Sequence, residues 1–222
     1  MKNTKYDLAI FDADGTLFYT KPGIVACIKE TVDHFGLRKL NEDEFDQFIG
    51  PPIHDTFAKV YEVSAERGLE IATEFRKRYR TDKFLYDATV YDGMMETLKV
   101  LKENGVKLGV ATYKMDYMAE GICHHFHIDD YIDSIHGTDN ESKRKKPDII
   151  RMCMEDYNIE DPTRAVMIGD THFDALGAEQ AGCSFLGVTF GFEFKTFDDV
   201  KGFKRVIGVA DTPLDILKFF IE

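Results

Sequence analysis

Asp12-Ala13-Asp14-Gly15-Thr16 follows the apolar run Leu8-Ala9-Ile10-Phe11 and precedes Leu17. A short apolar run bounded by a turn signal predicts a buried strand, here residues 6–11. The Asp-Gly step supplies the turn that ends it. In open α/β sheets, ligands bind outside the carboxyl ends of the strands. Two carboxylates two residues apart are therefore expected at such an edge. Alone, an Asp-Gly step is ordinary turn chemistry, and the flanking chain has to separate a turn from a site.

Beyond Tyr91-Asp92-Gly93 the pattern alternates. Helices are predicted at residues 94–103, 115–123, 147–157, 173–180 and 212–219, and strands at 106–111, 131–135, 165–168, 184–188 and 205–209. Asn104-Gly105 ends the first of these helices, and Pro147 suits the first turn of the third. Strands alternating with helices imply βαβ units and a parallel sheet, so the expected class is α/β. Residues 21–87 differ. Ile24, Val25, Ile28, Val32 and Phe35 recur at helical spacing up to Gly36. Further helices are expected at 41–49, with Asn41 and Glu44 as a capping pair, at 54–60 and at 65–84, with Gly50-Pro51-Pro52 as a break. No strand is expected there. The chain thus reads as a body of residues 1–19 and 88–222 carrying a helical insert at 20–87.

The 222 residues are 44% hydrophobic and 31% charged, the balance of an ordinary globular protein. A formal net charge of −12 disfavours a nucleic-acid partner, which calls for a basic face. It also requires any anion-binding site to be locally positive. No apolar run approaches the ~20 residues of a membrane span, and residues 1–7 lack a secretory pattern. Cys27, Cys123, Cys153 and Cys183 form no C-x-x-C pair, which fits reduced thiols and a cytoplasmic location.

Further polar groups fall at the ends of other predicted strands. Val110-Ala111 leads into Thr112-Tyr113-Lys114. Val166-Met167-Ile168-Gly169 leads into Asp170 and Asp174, and Lys143-Arg144-Lys145-Lys146-Pro147 opens a helix. Each has a plain explanation. Thr112 reads equally as a helix cap, the basic run as a solvated loop, and Asp170 and Asp174 as carboxylates favoured by a helix N-terminus. Together, in this order, carboxylates, a hydroxyl and a lysine converge on one edge of one sheet.

These segments carry a resemblance to the haloacid dehalogenase (HAD) superfamily of phosphohydrolases that covers nearly the whole chain. Its four motifs are matched by Asp12-Ala13-Asp14-Gly15-Thr16, by Thr112, by Lys146 and by Gly169-Asp170-Thr171-His172-Phe173-Asp174. At the second motif this chain has Tyr113 where many members carry Asn. The helical insert is similar to the family's C1 cap. Phe48-Ile49-Gly50-Pro51-Pro52, Ala181-Gly182-Cys183 and Gly187-Val188-Thr189-Phe190-Gly191-Phe192 are similar to the subgroup around phosphoglycolate phosphatase. The resemblance implies a Rossmann-like parallel-sheet core with a small helical cap.

It also implies a Mg²⁺-dependent hydrolysis of a small phosphomonoester. Asp12 would be the nucleophile and Asp14 the general acid/base. Thr112 and Lys146 would hold the phosphoryl oxygens. Lys143 and Lys145 compete with Lys146 on spacing alone, and the Lys146-Pro147 step favours Lys146 by similarity. Mg²⁺ would be bound by Asp12, Asp170 and Asp174, with Asp14 contributing its backbone carbonyl. Mg²⁺ takes oxygen ligands, which suits this set. Tyr113 and Lys114, beside Thr112, are candidates for substrate contact. In the cap, Gly50 would shape a loop and Arg76 is a candidate for a substrate carboxylate. Lys77, Arg78 and Arg80 read as a solvated helix face, and His124, His125 and His127 match no zinc spacing. The expected partner is a small phosphorylated metabolite, with no nucleic acid and no membrane, and neither monomer nor homodimer is favoured. Phosphoglucomutase-like transfer, and nucleotidase or pyrophosphatase activity, stand as alternatives on the same scaffold.

Overall fold

The computed structural model describes residues 4–139 and 143–221. The chain divides into two compact units, Met1–Phe18 with Val90–Glu222, and Tyr19–Thr89. The strands in chain order are β1 (Leu8–Phe11), β2 (Phe18–Tyr19), β3 (Thr89–Val90), β4 (Lys107–Met115), β5 (Ser134–Thr138), β6 (Ala165–Gly169), β7 (Ser184–Val188) and β8 (Val206–Ala210). The helices are α1 (Lys21–His34), α2 (Glu42–Phe45), α3 (Ile53–Val60), α4 (Ala65–Tyr79), α5 (Asp82–Leu85), α6 (Met94–Glu103), α7 (Asp116–His125), α8 (Lys146–Asp156), α9 (His172–Ala181), α10 (Phe197–Val200) and α11 (Leu217–Phe220).

The larger unit is built on a six-stranded sheet in the order β5-β4-β1-β6-β7-β8. Every neighbouring pair in it is parallel. Central parallel strands are covered on both faces and read as continuous apolar runs, and all four residues of β1 are buried. Leu8 and Ile10 share a buried cluster with Ile149, Ile150 and Cys153 of α8 and Ala175 and Ala178 of α9. Ala9 and Phe11 point to the other face by the pleat and are also fully buried. Each large apolar side chain buried in this way contributes about 1.5–3 kcal/mol.

The sequence placed most of these elements, and the departures have local causes. β4 continues to Met115 instead of ending at Ala111, because Thr112 and Tyr113 suit a strand. Its ladder with β5 resumes at Met115 and Thr138 after an irregularity. β5 begins at Ser134, not residue 131, because the Tyr131 and Ile132 N–H groups both donate to the Ile128 carbonyl in a turn. The expected helix at 65–84 is broken into α4 and α5, with the Thr81 hydroxyl donating to the Arg78 carbonyl at the break. The expected helix at 41–49 is α2 followed by a 3₁₀ turn, Asp46–Phe48. The last helix is a 3₁₀ turn, Pro213–Ile216, followed by α11. The short elements β2, β3 and α10 carry too few residues to show a period.

The smaller unit is helical, and β2 and β3 pair in a separate two-stranded sheet. Within the unit, α1 and α3 pack on α4. Its centre is aromatic. Phe48 and Phe57 meet edge to face at 4.9 Å, Phe57 and Phe75 at 6.1 Å, and Phe75 stacks on Tyr79 at 5.2 Å. Such pairs are each worth about 0.5–1.5 kcal/mol beyond the area they bury. Among the described residues, no helix is long and apolar enough to cross a membrane.

Candidate active site

β1 lies between β4 and β6, with Phe11 in register with Val110 on one side and Ile168 on the other. Asp12 and Asp170 therefore follow the same end of two adjacent strands, Thr112 lies two residues past Val110 in β4, which continues beyond it, and all three are buried. α8 starts at Lys146, and the Lys146 Nζ lies 2.7 Å from Asp12 Oδ1 and 2.7 Å from Asp174 Oδ1. α9 brings Asp174 through its capping box, in which Asp174 Oδ2 accepts from the Thr171 N–H at 3.1 Å and the Thr171 hydroxyl at 2.7 Å. The two helices approach closely at Gly177, where an added Cβ would sit 2.6 Å from Lys146 Cγ. Lys146 of the basic run thus reaches these carboxylates. Lys145 is the N-cap of α8, its N–H donating to Asp148 at 3.2 Å, and Arg144 pairs with Asp116 at 2.6 Å.

Carboxylate oxygens of Asp12, Asp170 and Asp174 lie within 4.8 Å of one another. Burial pushes Asp12 up to about 7; the Lys146 ammonium opposes this, and the Asp174 and Asp14 carboxylates reinforce it. Asp170 is raised well above the usual carboxylate range by burial and then by Asp174 and Asp12, despite the Phe192 N–H that donates to it at 2.7 Å. Burial pulls Lys146 down, but Asp12 and Asp174 more than offset it and hold the ammonium above its ordinary value. The turn after Asp12 presses on Asp170. Gly15 has φ +83, and a Cβ there would fall 2.2 Å from Asp170 Oδ2.

Asp14 stands outside the three-carboxylate cluster, and its Oδ1 lies 3.2 Å from the buried Lys114 ammonium. With all four carboxyls ionised, they face two ammonium groups and carry an excess of two negative charges, which adds to burial, the larger cause, in pushing Asp12 and Asp170 toward the protonated form without a metal. One divalent cation would neutralise that excess, and an all-oxygen donor set suits a hard ion such as Mg²⁺. The buried carboxylates therefore fit a divalent metal.

Thr112 is not a helix cap; it lies inside β4, and its Oγ1 accepts the Lys114 N–H at 3.2 Å. The pairing of Lys114 with Asp14 went unread in the sequence, although residues two apart on a strand share a face and Thr112 had marked that face. Tyr113 accepts the Lys146 backbone N–H at 3.2 Å. Gly50 and Arg76 belong to the helical unit, Gly50 with φ +97 and Arg76 in the last turn of α4. In the same basic stretch Lys77 is exposed and lies 3.7 Å from Glu74, as on a solvated face, whereas Arg78, paired with Glu74 at 2.8 Å, is half-buried. His124 pairs with Asp129 at 2.7 Å and His127 with Asp130 at 3.9 Å, and none of these histidines joins a metal-ligating group among the described residues.

Comparison with known proteins gives consistent relatives. The haloacid dehalogenase-like hydrolase family model matches residues 9–188. A 5'-nucleotidase of Pseudomonas aeruginosa is 32% identical over 189 residues, covering 85% of each chain. The pyrophosphatase PpaX of Bacillus pumilus is 27% identical over 202 residues, covering 87% of this chain and 88% of its own. The crystal structure of a predicted phosphatase from Clostridium acetobutylicum superposes with a TM-score of 0.85 at 30% identity, covering 96% of this chain and 99% of the other.

Proposed function

The chain belongs to the haloacid dehalogenase-like hydrolase family, and from that premise we propose that it is a Mg²⁺-dependent phosphatase of a small phosphomonoester, working through an aspartyl-phosphate. The observation that carries this reading is the buried group of Asp12, Asp170, Asp174 and Lys146 at the edge of β1, β4 and β6. Uncatalysed phosphate-monoester hydrolysis can need acceleration by as much as ~10²¹-fold, and a covalent route divides that barrier. Asp12 forms the new bond to phosphorus while the ester P–O bond breaks. Asp14 gives its proton to the leaving oxygen. It then takes a proton from the water that attacks the aspartyl-phosphate, releasing inorganic phosphate and restoring Asp12. Lys146 and Thr112 hold the phosphoryl oxygens, Lys146 as a compact point charge. Asp12, Asp170 and Asp174 would hold the metal, with the Asp14 carbonyl as a further ligand. Bound there, it would neutralise the carboxylates and let an anionic nucleophile meet an anionic phosphate.

The helical unit, Tyr19–Thr89, is proposed as the cap that chooses the leaving group, with Gly50 and Arg76 as its candidate contacts. The similarity to a 5'-nucleotidase at 32% identity favours nucleoside 5'-monophosphates as the first esters to try, with phosphoglycolate next by the motif resemblance. The test is phosphate release from a panel of nucleoside monophosphates, phosphoglycolate, sugar phosphates and pyrophosphate with Mg²⁺, using Asp12→Asn as the control. Turnover lost in Asp12→Asn supports the reading, and hydrolysis unaffected by that change overturns it. Phosphate appearing on a second hydroxyl of a hexose phosphate, in place of free phosphate, identifies a mutase.

A further inference from the structure

Lys146 is a long, flexible side chain asked to keep one position. Fixing such a chain costs rotamer entropy. Asp12 and Asp174 attract its ammonium but do not fix its stem. One further side chain touches Lys146 twice. The Tyr113 hydroxyl accepts the Lys146 backbone N–H at 3.2 Å. That N–H belongs to the first turn of α8, where the backbone donors have no partner within the helix. The Tyr113 ring also lies under the Lys146 ammonium, 5.5 Å from Nζ to the ring centroid. The ring in turn meets Phe173 edge to face at 5.8 Å, and Phe173 lies in α9 one residue before Asp174. Tyr113 therefore links the strand of Thr112 to the helices of Lys146 and Asp174.

The geometry points to Tyr113 as a positioning residue that holds the Lys146 ammonium by the face of its ring, an inference that rests on the phosphatase reading of this site. An aromatic face attracts an ammonium without offering a strong hydrogen-bond acceptor. An ammonium has three donors; Asp12 Oδ1 accepts one at 2.7 Å, and Asp174 Oδ1 is ion-paired with the same head at 2.7 Å. The ring steadies the head without taking a donor that a phosphoryl oxygen would need. A carboxylate or amide in that place would compete for it. Gly177 limits the stem from α9, since any Cβ there would press on Lys146 Cγ at 2.6 Å. The ring contact and the Gly177 approach together define where the head can go.

Tyr113→Phe and Tyr113→Leu separate the ring from the hydroxyl. The Leu change is expected to lower kcat/KM about tenfold or more, the scale of a desolvated cation–π contact, and the Phe change to stay within about threefold of wild type. A second readout does not depend on turnover. In protein labelled with ¹³Cε-lysine, the Lys146 Hε signal, assigned by Lys146→Arg, is expected upfield from the ring current in wild type and Tyr113→Phe. In Tyr113→Leu it moves to the ordinary lysine position. If Tyr113→Leu does not fold, a tetrafluorotyrosine at 113 keeps the ring and withdraws its π charge, and the same loss of kcat/KM is expected. Full activity and an unmoved Lys146 signal in Tyr113→Leu overturn the inference. Equal losses in the Phe and Leu variants overturn it too, since the hydroxyl alone would then be responsible. If the wild type hydrolyses no phosphate ester, the phosphatase reading fails, while the Lys146 signal still decides what Tyr113 holds.

Discussion

The two units use charge in opposite ways. In the sheet unit, Asp12, Asp170, Asp174 and Lys146 are buried and crowd one strand edge. In the helical unit ion pairs lie at the surface, as Arg38 with Glu44, Arg67 with Glu70 and Lys83 with Glu30. Burying an ion costs several kcal/mol unless partners compensate, and a surface pair contributes about 0–1 kcal/mol. A fold has no stability reason to gather three buried carboxylates, so their cost marks chemistry. The surface pairs carry no such mark. The contrast predicts that substitutions at the sheet edge change activity greatly and in some cases raise stability, while those at the surface ion pairs of the helical unit do little to either.

Asp12→Asn is the most severe test. Turnover should fall by at least ~10⁴-fold, the scale of losing a nucleophile. The metal-free protein should nevertheless gain stability at pH 8, because one of several mutually repelling carboxylates is gone. A gain of about 1 kcal/mol would raise Tm by ~2–4 °C for a chain of this size. Phosphate release and calorimetry on one preparation read both effects. A variant that keeps one hundredth of the turnover, or that melts lower than wild type without metal, breaks the contrast. Lys146→Ala comes next and reverses the stability effect. It leaves Asp12 and Asp174 without their ammonium, which should destabilise by about 3–5 kcal/mol. The accompanying loss in kcat/KM should be ~10²–10³-fold. Lys143→Ala, three residues away in the same basic run, should stay within about twofold.

Removing divalent metal tests the same edge without mutation. Chelation should abolish turnover. Restoring Mg²⁺ to about a hundred times its Kd should stabilise the protein by about 2.7 kcal/mol. Protons and metal compete for the carboxylates. Asp12 has a folded-state value raised to about 7 from 3.8, so its charge opposes folding above that value. As pH falls through about 7 the carboxyl takes up a proton in the folded state only, and metal-free stability gains from it. The Tm of metal-free protein should therefore rise from pH 8 to pH 6, and the Mg²⁺-induced shift should shrink over the same interval. A Mg²⁺ shift of equal size at both pH values would separate the metal from Asp12.

The sequence showed most plainly what depends on a short period or a fixed spacing. β1 and β7 are short apolar runs bounded by turns, and α6 has apolar residues on one face and a Gly stop, so all three were legible. Asp12 and Asp170 were legible because each follows such a run. Lys146 was legible only through its Pro and a family likeness; spacing alone left Lys143 and Lys145 in contention. Tertiary pairing was the main blind spot. No local signal joins Lys114 to Asp14, or Tyr113 to the backbone of Lys146. β5 was placed three residues early because the apolar Tyr131-Ile132 pair looks like a strand until Ile128 claims their N–H groups. In the helical unit the apolar face of α1 followed a helical period, but the aromatic centre, gathered from separate elements, showed no local signal, and Arg76 carried no pattern that separates a substrate contact from a solvated arginine.

The smallest expected effect lies in the helical unit, and it runs against the sheet edge in sign. Arg38 donates to both oxygens of Glu44 at 2.9 and 2.6 Å, and the Asn41 N–H donates to Glu44 Oε2 at 2.8 Å. The Arg38 bond first, and the Asn41 N–H second, pull Glu44 down to about 2 from 4.5. A lowered carboxyl stabilises the fold wherever it is ionised in both states, above about 4.5. That contribution is lost as pH falls toward 2, because the unfolded chain takes up its proton first. Glu44→Gln removes the charge at every pH. The Tm of wild type minus that of Glu44→Gln should thus be small and positive at pH 7, and should vanish as pH approaches 2. Acid therefore helps the sheet edge near pH 7 and weakens the Arg38–Glu44 pair only below about 4.5. A Tm difference that persists unchanged at pH 2 would mean that Glu44 acts by shape in the α2 cap and not by charge, and the electrostatic contrast between the units would then rest on the buried carboxylates alone.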